Sequence, residues 1–343
     1  MIDNFKNIVI KIGSNSIVDT NSKKLKSKWV DLFCNDISKI HKKMKIVIVC
    51  SGAIALGSKT IINKKILKRL EDKQAAAAIG QIELAYQWKQ KLKKYNINTA
   101  QLLLTLNDSE VRRRYLNARK TIIALHNNNV IPVINENDTV ATEEIRYGDN
   151  DRLAARVAQM IDADLLVLLS DVDGLYDSNP RKNKNAKKID KVFKIDKNIE
   201  KLGSSQTSNL GSGGMNTKIW AAKICMGNGC TTILTNSNRK KPITGISKIN
   251  STIFYSKVST TSSRKKWLLN HLHPSGSVVI DNGAEKAIIA NKSLLPAGIT
   301  DVNGKFTRGD VIKVLSKNNN QIALGVAAYD ANETKKIIGK NSK

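Results

Sequence analysis

Short, continuous apolar runs rich in β-branched residues punctuate the first 235 or so residues, at 8–12, 45–49, 130–134, 165–169 and 231–234. Each is bounded by Gly, Asn, Asp or Ser, and none alternates apolar with polar positions. That pattern predicts strands buried on both faces of a parallel sheet. Helical stretches lie between them, including 72–94 with its AAAAIG segment and 151–159. Strand alternating with helix predicts a layered α/β fold. The pattern changes near residues 256–276, where SKVSTTSSRKKW is polar and Ser/Thr-rich. From Ser277 onward, SVVID, GDVIKVLS and IALGVAAY are separated by turn sequences, which predicts a small, mostly β module. The expected organisation is a first domain over 1–258, a linker over 259–275 and a second domain over 276–343.

At 343 residues the chain is long enough for two domains, in keeping with that division. Its apolar runs all stop well short of the roughly 18 residues of a membrane span. The N-terminus reads as a first buried strand, without the apolar stretch and cleavage site of a signal peptide. The four cysteines, Cys34, Cys50, Cys225 and Cys230, show no CxxC spacing. Cys50 and Cys225 sit in apolar runs, so small buried residues in a reducing, cytoplasmic compartment are expected. The net charge of +28 invites a nucleic-acid reading. However, the basic residues are mostly Lys, are spread thinly, and accompany abundant Asn, so nucleic-acid binding is not favoured.

Several segments carry candidate chemistry. VIKIGSNS (9–16) puts Lys11 inside an apolar strand before a Gly turn; a charge there needs a partner. The arrangement suits an anion, although a plain turn with a surface Lys has the same spacing. CSGAIALG (50–57) ends a second strand with Ser51 and Gly52 opening a helix, suited to a carboxylate or phosphate or simply to an ordinary Ser N-cap. INENDTV and YGDNDRLAA crowd Asn135, Asn137, Asp138, Asp149, Asn150 and Asp151 after a strand. Amides and carboxylates together can hold an amino acid, or a divalent cation through oxygen ligands. SDVDGLYDSNPR (170–181) follows another strand end, where open α/β sheets bind ligands. GSGGMNTK (211–218) places three glycines before a helix with Lys218 on its first turn, and it is not a Walker A loop. On its own it is also compatible with a flexible surface loop. His41, His126, His271 and His273 show neither triad nor metal spacing.

Taken in order, VIKIG, SGAIALG, INEND, GDND, SDVDGLY and GSGGMNTK resemble the amino acid kinase family, and within it the members that phosphorylate glutamate. The resemblance implies a three-layer α/β/α sandwich and transfer of phosphate from ATP to the side-chain carboxylate of L-glutamate, opening proline biosynthesis. It assigns Ser51, Gly52, Asn135, Asp138 and Asn150 to glutamate. It assigns Lys11, Ser170, Asp171, Ser212, Gly213, Gly214, Met215, Asn216, Thr217 and Lys218 to ATP. Lys11, Lys218 and Asp151 become the catalytic set, with Asp151 orienting the two lysines. Mg²⁺ is expected to bridge the phosphates, with no protein ligand assigned to it. Feedback inhibition by proline, a homo-oligomer and glutamyl phosphate reductase as partner are implied in the same way. From Gly276 the chain resembles a PUA domain, a small β barrel. It ends at KKIIGKNSK, where that family continues into another apolar strand, so the last segment is expected to be missing.

Two rival readings remain at this level. Another member of the family would act on aspartate, acetylglutamate, carbamate or a nucleoside monophosphate. An RNA-binding protein would use the PUA-like module, yet residues 276–343 hold ten Lys and Arg against six Asp and Glu, and only Phe306 and Tyr329 for stacking.

Overall fold

The computed structural model describes residues 2–61, 69–140, 150–180, 182–205, 214–256, 274–290 and 292–340. Two compact units emerge, Met1–Arg264 and Lys265–Lys343. The expected linker, apart from residues 274 and 275, lies outside the described residues, as do His271 and His273.

The larger unit runs β1 (Asn7–Ile12), α1 (Ser14–Ile17), α2 (Ser27–Ser38), β2 (Lys45–Cys50), α3 (Ala53–Gly57), α4 (Leu70–Lys93), β3 (Asn98–Leu104), α5 (Leu106–Glu110), α6 (Arg112–Asn127), β4 (Val130–Glu136), α7 (Asn150–Met160) and β5 (Leu165–Ser170). It continues through β6 (Leu175–Tyr176), β7 (Lys188–Ile189), β8 (Lys191–Val192), α8 (Lys197–Ser205), α9 (Met215–Gly227), β9 (Thr231–Asn236) and β10 (Ser251–Phe254). Eight strands form one sheet in the order β3-β4-β2-β1-β5-β9-β10-β8. All five strands expected from the apolar runs are present. β3 escaped that reading because it lies at the sheet edge with most of its residues half-buried or exposed. The sheet is parallel from β3 to β9, but β10 pairs antiparallel with β9 and carries β8 alongside. An edge of reversed strands on a parallel sheet is common in such folds.

β1 is central, parallel to β2 on one side and β5 on the other. Ile8, Ile10 and Ile12 are fully buried with Val30 and Phe33 of α2 and Leu84 and Trp88 of α4. Each such side chain contributes about 1.5–3 kcal/mol by leaving water. Lys11 points to the opposite face, where it meets α7. Helices therefore cover both faces, giving three layers. The register sets Ile12 level with Cys50 and Leu169, so the residues that follow, Gly13, Ser51 and Ser170, share one edge of the sheet. The chain leaves β1 toward β2 and returns beside it as β5, and a crevice opens at such a switch point.

α3 and α4 cross with almost no space between backbones. A Cβ built on Gly80 would stand 1.9 Å from Ala53 O, and one on Gly57 would stand 1.9 Å from Ala76 O. The buried positions Ala76, Gly80, Leu84, Trp88 and Leu92 recur every four residues, small toward α3 and large toward the core. Gly52 has φ +114°, a left-handed conformation that suits glycine and turns β2 into α3.

The smaller unit is a four-stranded sheet, ordered β12 (Ile299–Gly304), β11 (Gly276–Ile280), β13 (Val311–Leu315) and β14 (Gln321–Val326). Val278, Ile280, Val302, Phe306 and Val314 form its core. It is less purely β than the sequence predicts. Asp281 accepts a hydrogen bond from Ala284 N at 2.7 Å and starts a helix, Asn282–Ile289, where a turn was expected. Asp330 and Glu333 form a capping box on a second helix, Ala331–Ile337. No helix among the described residues is long and apolar enough to cross a membrane.

Candidate active site

At the carboxyl edge of the sheet one aspartate sits between two lysines. Lys11 Nζ lies 2.7 Å from Asp151 Oδ1, and Lys218 Nζ lies 3.0 Å from Asp151 Oδ2. Asp151 is fully buried, and the lysines are 6% and 7% exposed. Each reaches the site from a different element: Lys11 from β1, Asp151 from the first turn of α7, Lys218 from the first turns of α9. Burial pushes the Asp151 carboxyl up, but Lys11 and then Lys218 outweigh it and hold the group well below the usual carboxylate range. Two buried lysines at one edge of the sheet are groups that suit the phosphates of a nucleotide.

α9 has Gly214 as its N-cap, in extended backbone and with no side chain of its own to cap the first turn. The first amides of such a helix point out along its axis and suit an anion, in line with the helix dipole. Thr217, expected at ATP, holds its hydroxyl 2.9 Å from Asp151 Oδ2 and 2.8 Å from Gly214 O, one proton shared between the two acceptors. Met215 is buried, and Asn216 is exposed, packed so closely on α8 that a Cβ on Gly203 would stand 2.2 Å from its Oδ1. Arg152 and Arg156 of α7 stack on Trp220 of α9 at 5.0 and 5.7 Å, knitting the two helices together. Ser170, at the end of β5, is buried and donates to Asp171 Oδ1 at 3.2 Å. The expected site residues Ser212 and Gly213, with Asp149 of the acidic cluster, lie outside the described residues.

A second cluster lies beside the ion triad. Asn150, one residue before Asp151, sets its Nδ2 within 2.8 Å of Cys50 O, 2.7 Å of Ser51 Oγ and 2.9 Å of Asn135 Oδ1, so two protons serve three acceptors. Ser51 is therefore engaged by Asn150, and the N-cap of α3 is Gly52. Asn135 Nδ2 in turn donates to Gln81 Oε1 at 2.7 Å. Asp138 lies in the turn after β4, and burial raises its carboxyl to about 6. Asn137 is taken up locally, accepting from the Thr139 hydroxyl at 2.6 Å.

Ser51, Asn135, Asn150 and Asp151 thus meet in space, as their grouping in sequence suggests. Gln81, Ser16 and Ser237 were not foreseen. Ser16 donates to Ser237 Oγ at 2.8 Å, and Ser237 N donates to Ser170 O at 2.7 Å, tying the ends of β1, β5 and β9 together. The serines carry no spacing signal, and Gln81 follows an alanine-rich stretch that reads as plain helix.

Residues 6–236 match the model of the amino acid kinase family, and residues 276–343 match the PUA domain. The glutamate 5-kinase of Pelagibacter ubique is 50% identical over 340 residues, covering 98% of this chain and 92% of that protein. Glutamate 5-kinase 1 of Rhizobium meliloti is 47% identical, covering 99% and 87%. Among solved structures, UMP kinase from Ureaplasma parvum aligns with a TM-score of 0.52 at 19% identity, over 73% of this chain and 98% of that one. Carbamate kinase from Giardia lamblia, bound to AMP-PNP, aligns at 0.52 and 18% identity, over 74% and 100%. These two likenesses concern the fold alone. The chain belongs to the amino acid kinase family.

Proposed function

We propose that this chain transfers the γ-phosphoryl group of ATP to the side-chain carboxylate of L-glutamate, forming L-glutamyl 5-phosphate as the first step of proline biosynthesis. The observation that carries the reading is the buried Lys11–Asp151–Lys218 set; the choice of glutamate follows the two relatives named above. A glutamate carboxylate is ionised at neutral pH and already nucleophilic, so no general base is needed. One carboxylate oxygen forms the bond to the γ-phosphorus while the bond to the β–γ bridging oxygen breaks, releasing ADP. The obstacle is the approach of an anion to a polyanion, and Lys11, Lys218 and the α9 amides offset that repulsion. Asp151 holds the lysines apart and aimed, and Thr217 steadies Asp151.

In this reading Ser51, Gly52, Asn135, Asp138 and Asn150 receive glutamate. Ser170, Asp171, Gly214, Met215, Asn216 and Thr217 face ATP, together with Ser212 and Gly213. Among the described residues no three His, Cys, Asp or Glu side chains cluster as a metal cage. Mg²⁺ is read as the ion that accompanies the phosphates. The reading extends to a cytoplasmic homo-oligomer inhibited by proline, which shares an α-carboxylate and amino group with glutamate. The product is a labile mixed anhydride, which suits direct uptake by glutamyl phosphate reductase.

The test is a panel of glutamate, aspartate, acetylglutamate, carbamate and UMP with ATP and Mg²⁺, following ADP release and trapping acyl phosphate with hydroxylamine. Hydroxamate formation with glutamate is expected. Turnover of aspartate without turnover of glutamate overturns the assignment.

A further inference from the structure

The backbone carbonyl of Cys50 can only accept a hydrogen bond. Facing it at 2.8 Å, Asn150 must turn its NH₂ group that way, and the same group reaches Asn135 Oδ1. Asn135 then has its own NH₂ directed at Gln81, which answers with Oε1 at 2.7 Å. One polarity therefore runs through three side-chain amides, from the end of β2 to α4. At its inner end Asn150 Oδ1 is buried and accepts no hydrogen bond from the described residues. A buried, unmatched acceptor is unfavourable, and an ammonium group is a donor that would match it.

Gln81 is held in place by more than this one bond. Its neighbour Gly80 sits against Ala53, the first residue of α3 and two residues beyond Ser51. The backbone contact of α3 with α4 thus delivers Gln81 to the pocket without the slack of a long side chain on a free surface. Without an acceptor at position 81, the Asn135 amide is free to rotate and present its NH₂ to Asn150. Two NH₂ groups facing each other repel, and Asn150 is pushed from its contact with Cys50 O.

We propose that Gln81 is a positioning residue for the amino-acid substrate: acting through Asn135, it keeps Asn150 Oδ1 turned toward the substrate ammonium. The inference rests on the glutamate reading above and deepens it. Steady-state kinetics on the full chain test it with Gln81→Met, which keeps the length of the side chain and removes the acceptor. KM for glutamate is expected to rise about tenfold, the effect of one hydrogen bond to a buried polar group, while KM for ATP and kcat stay near the parent values. A double-mutant cycle with Asn135→Ala reads the path: the double variant is expected to bind glutamate no more weakly than Asn135→Ala alone. Gln81→Glu, which keeps an acceptor oxygen, is expected to retain the parent KM, and it serves alone if Gln81→Met does not fold. An active parent whose Gln81→Met variant keeps its glutamate KM overturns the inference, as does a cycle in which the two effects multiply. A raised KM in Gln81→Glu overturns it too. A parent that turns over no glutamate overturns the function reading, and this inference falls with it.

Discussion

Asp151 satisfies two lysines at once, so the substitutions at this triad are unequal in their effects. Lys218→Ala leaves Asp151 paired with Lys11, and the fold should persist. kcat should fall on the order of 10²–10³-fold, the usual effect of removing one electrostatic donor at a reacting centre. Kinetics beside a thermal melt check both halves; near-parental turnover would remove the loop from the site. Because the folded Asp151 is held below its unfolded value, its stabilising contribution is present above that value and lost only in strong acid. Asp138 has the opposite sign. Its carboxyl is raised from 3.8 to about 6, so its contribution to folding is full below the unfolded value and declines as pH rises through about 6. Substrate ammonium needs the ionised form, so KM for glutamate should climb as pH falls below about 6, and Asp138→Asn should flatten that profile. A parent KM constant from pH 5 to 8 would exclude Asp138 from recognition. Lys11 was legible in the sequence because a cation inside an apolar strand demands a counter-ion. Gln81 was not, because a helical glutamine is ordinary and its partner lies 54 residues away.

At the level of elements, the crossing of α3 and α4 positions the amino-acid pocket. Adding one methyl in Gly80→Ala brings a Cβ to 1.9 Å from Ala53 O, a separation that no side-chain rotation relieves. The helices must part, at a cost of about 1–3 kcal/mol measured by chemical denaturation. Ser51 and Gln81 should separate with them, so glutamate KM should rise while ATP KM holds. A variant as stable as the parent would show that the crossing is loose. The strands buried on both faces were legible because burial on two sides leaves no polar positions to interrupt the run. β3, Asn98–Leu104, was not, since its one covered face produces a mixed pattern. β10 and β8 were hidden for a different reason: their direction is set by pairing, and a strand's sequence does not state which way its neighbour runs.

Across the whole molecule the charge of +28 is the most conspicuous property, and it is not concentrated on the PUA unit. Phe306 is buried in the core of that unit, which leaves Tyr329 as its exposed aromatic among the described residues. RNA affinity should therefore be electrostatic and vanish between about 50 and 200 mM salt in a gel shift. A complex that survives at physiological salt would mark a dedicated interface. The domain order was legible because the two units differ in period and composition, whereas the amide chain of the pocket exists only after distant segments meet. The central place of β1 also has a meaning in time. Lys11 emerges first from the ribosome, and its counter-ion Asp151 follows 140 residues later. Until then β1 has β2 to pair with, but its β5 edge is open and its inward cation is unbalanced. Parallel pairing over such separations is slow, so a stage with half a sheet is expected during folding. Phosphoryl transfer is accordingly the last property the chain acquires, and recovery of activity in refolding should trail recovery of helix signal.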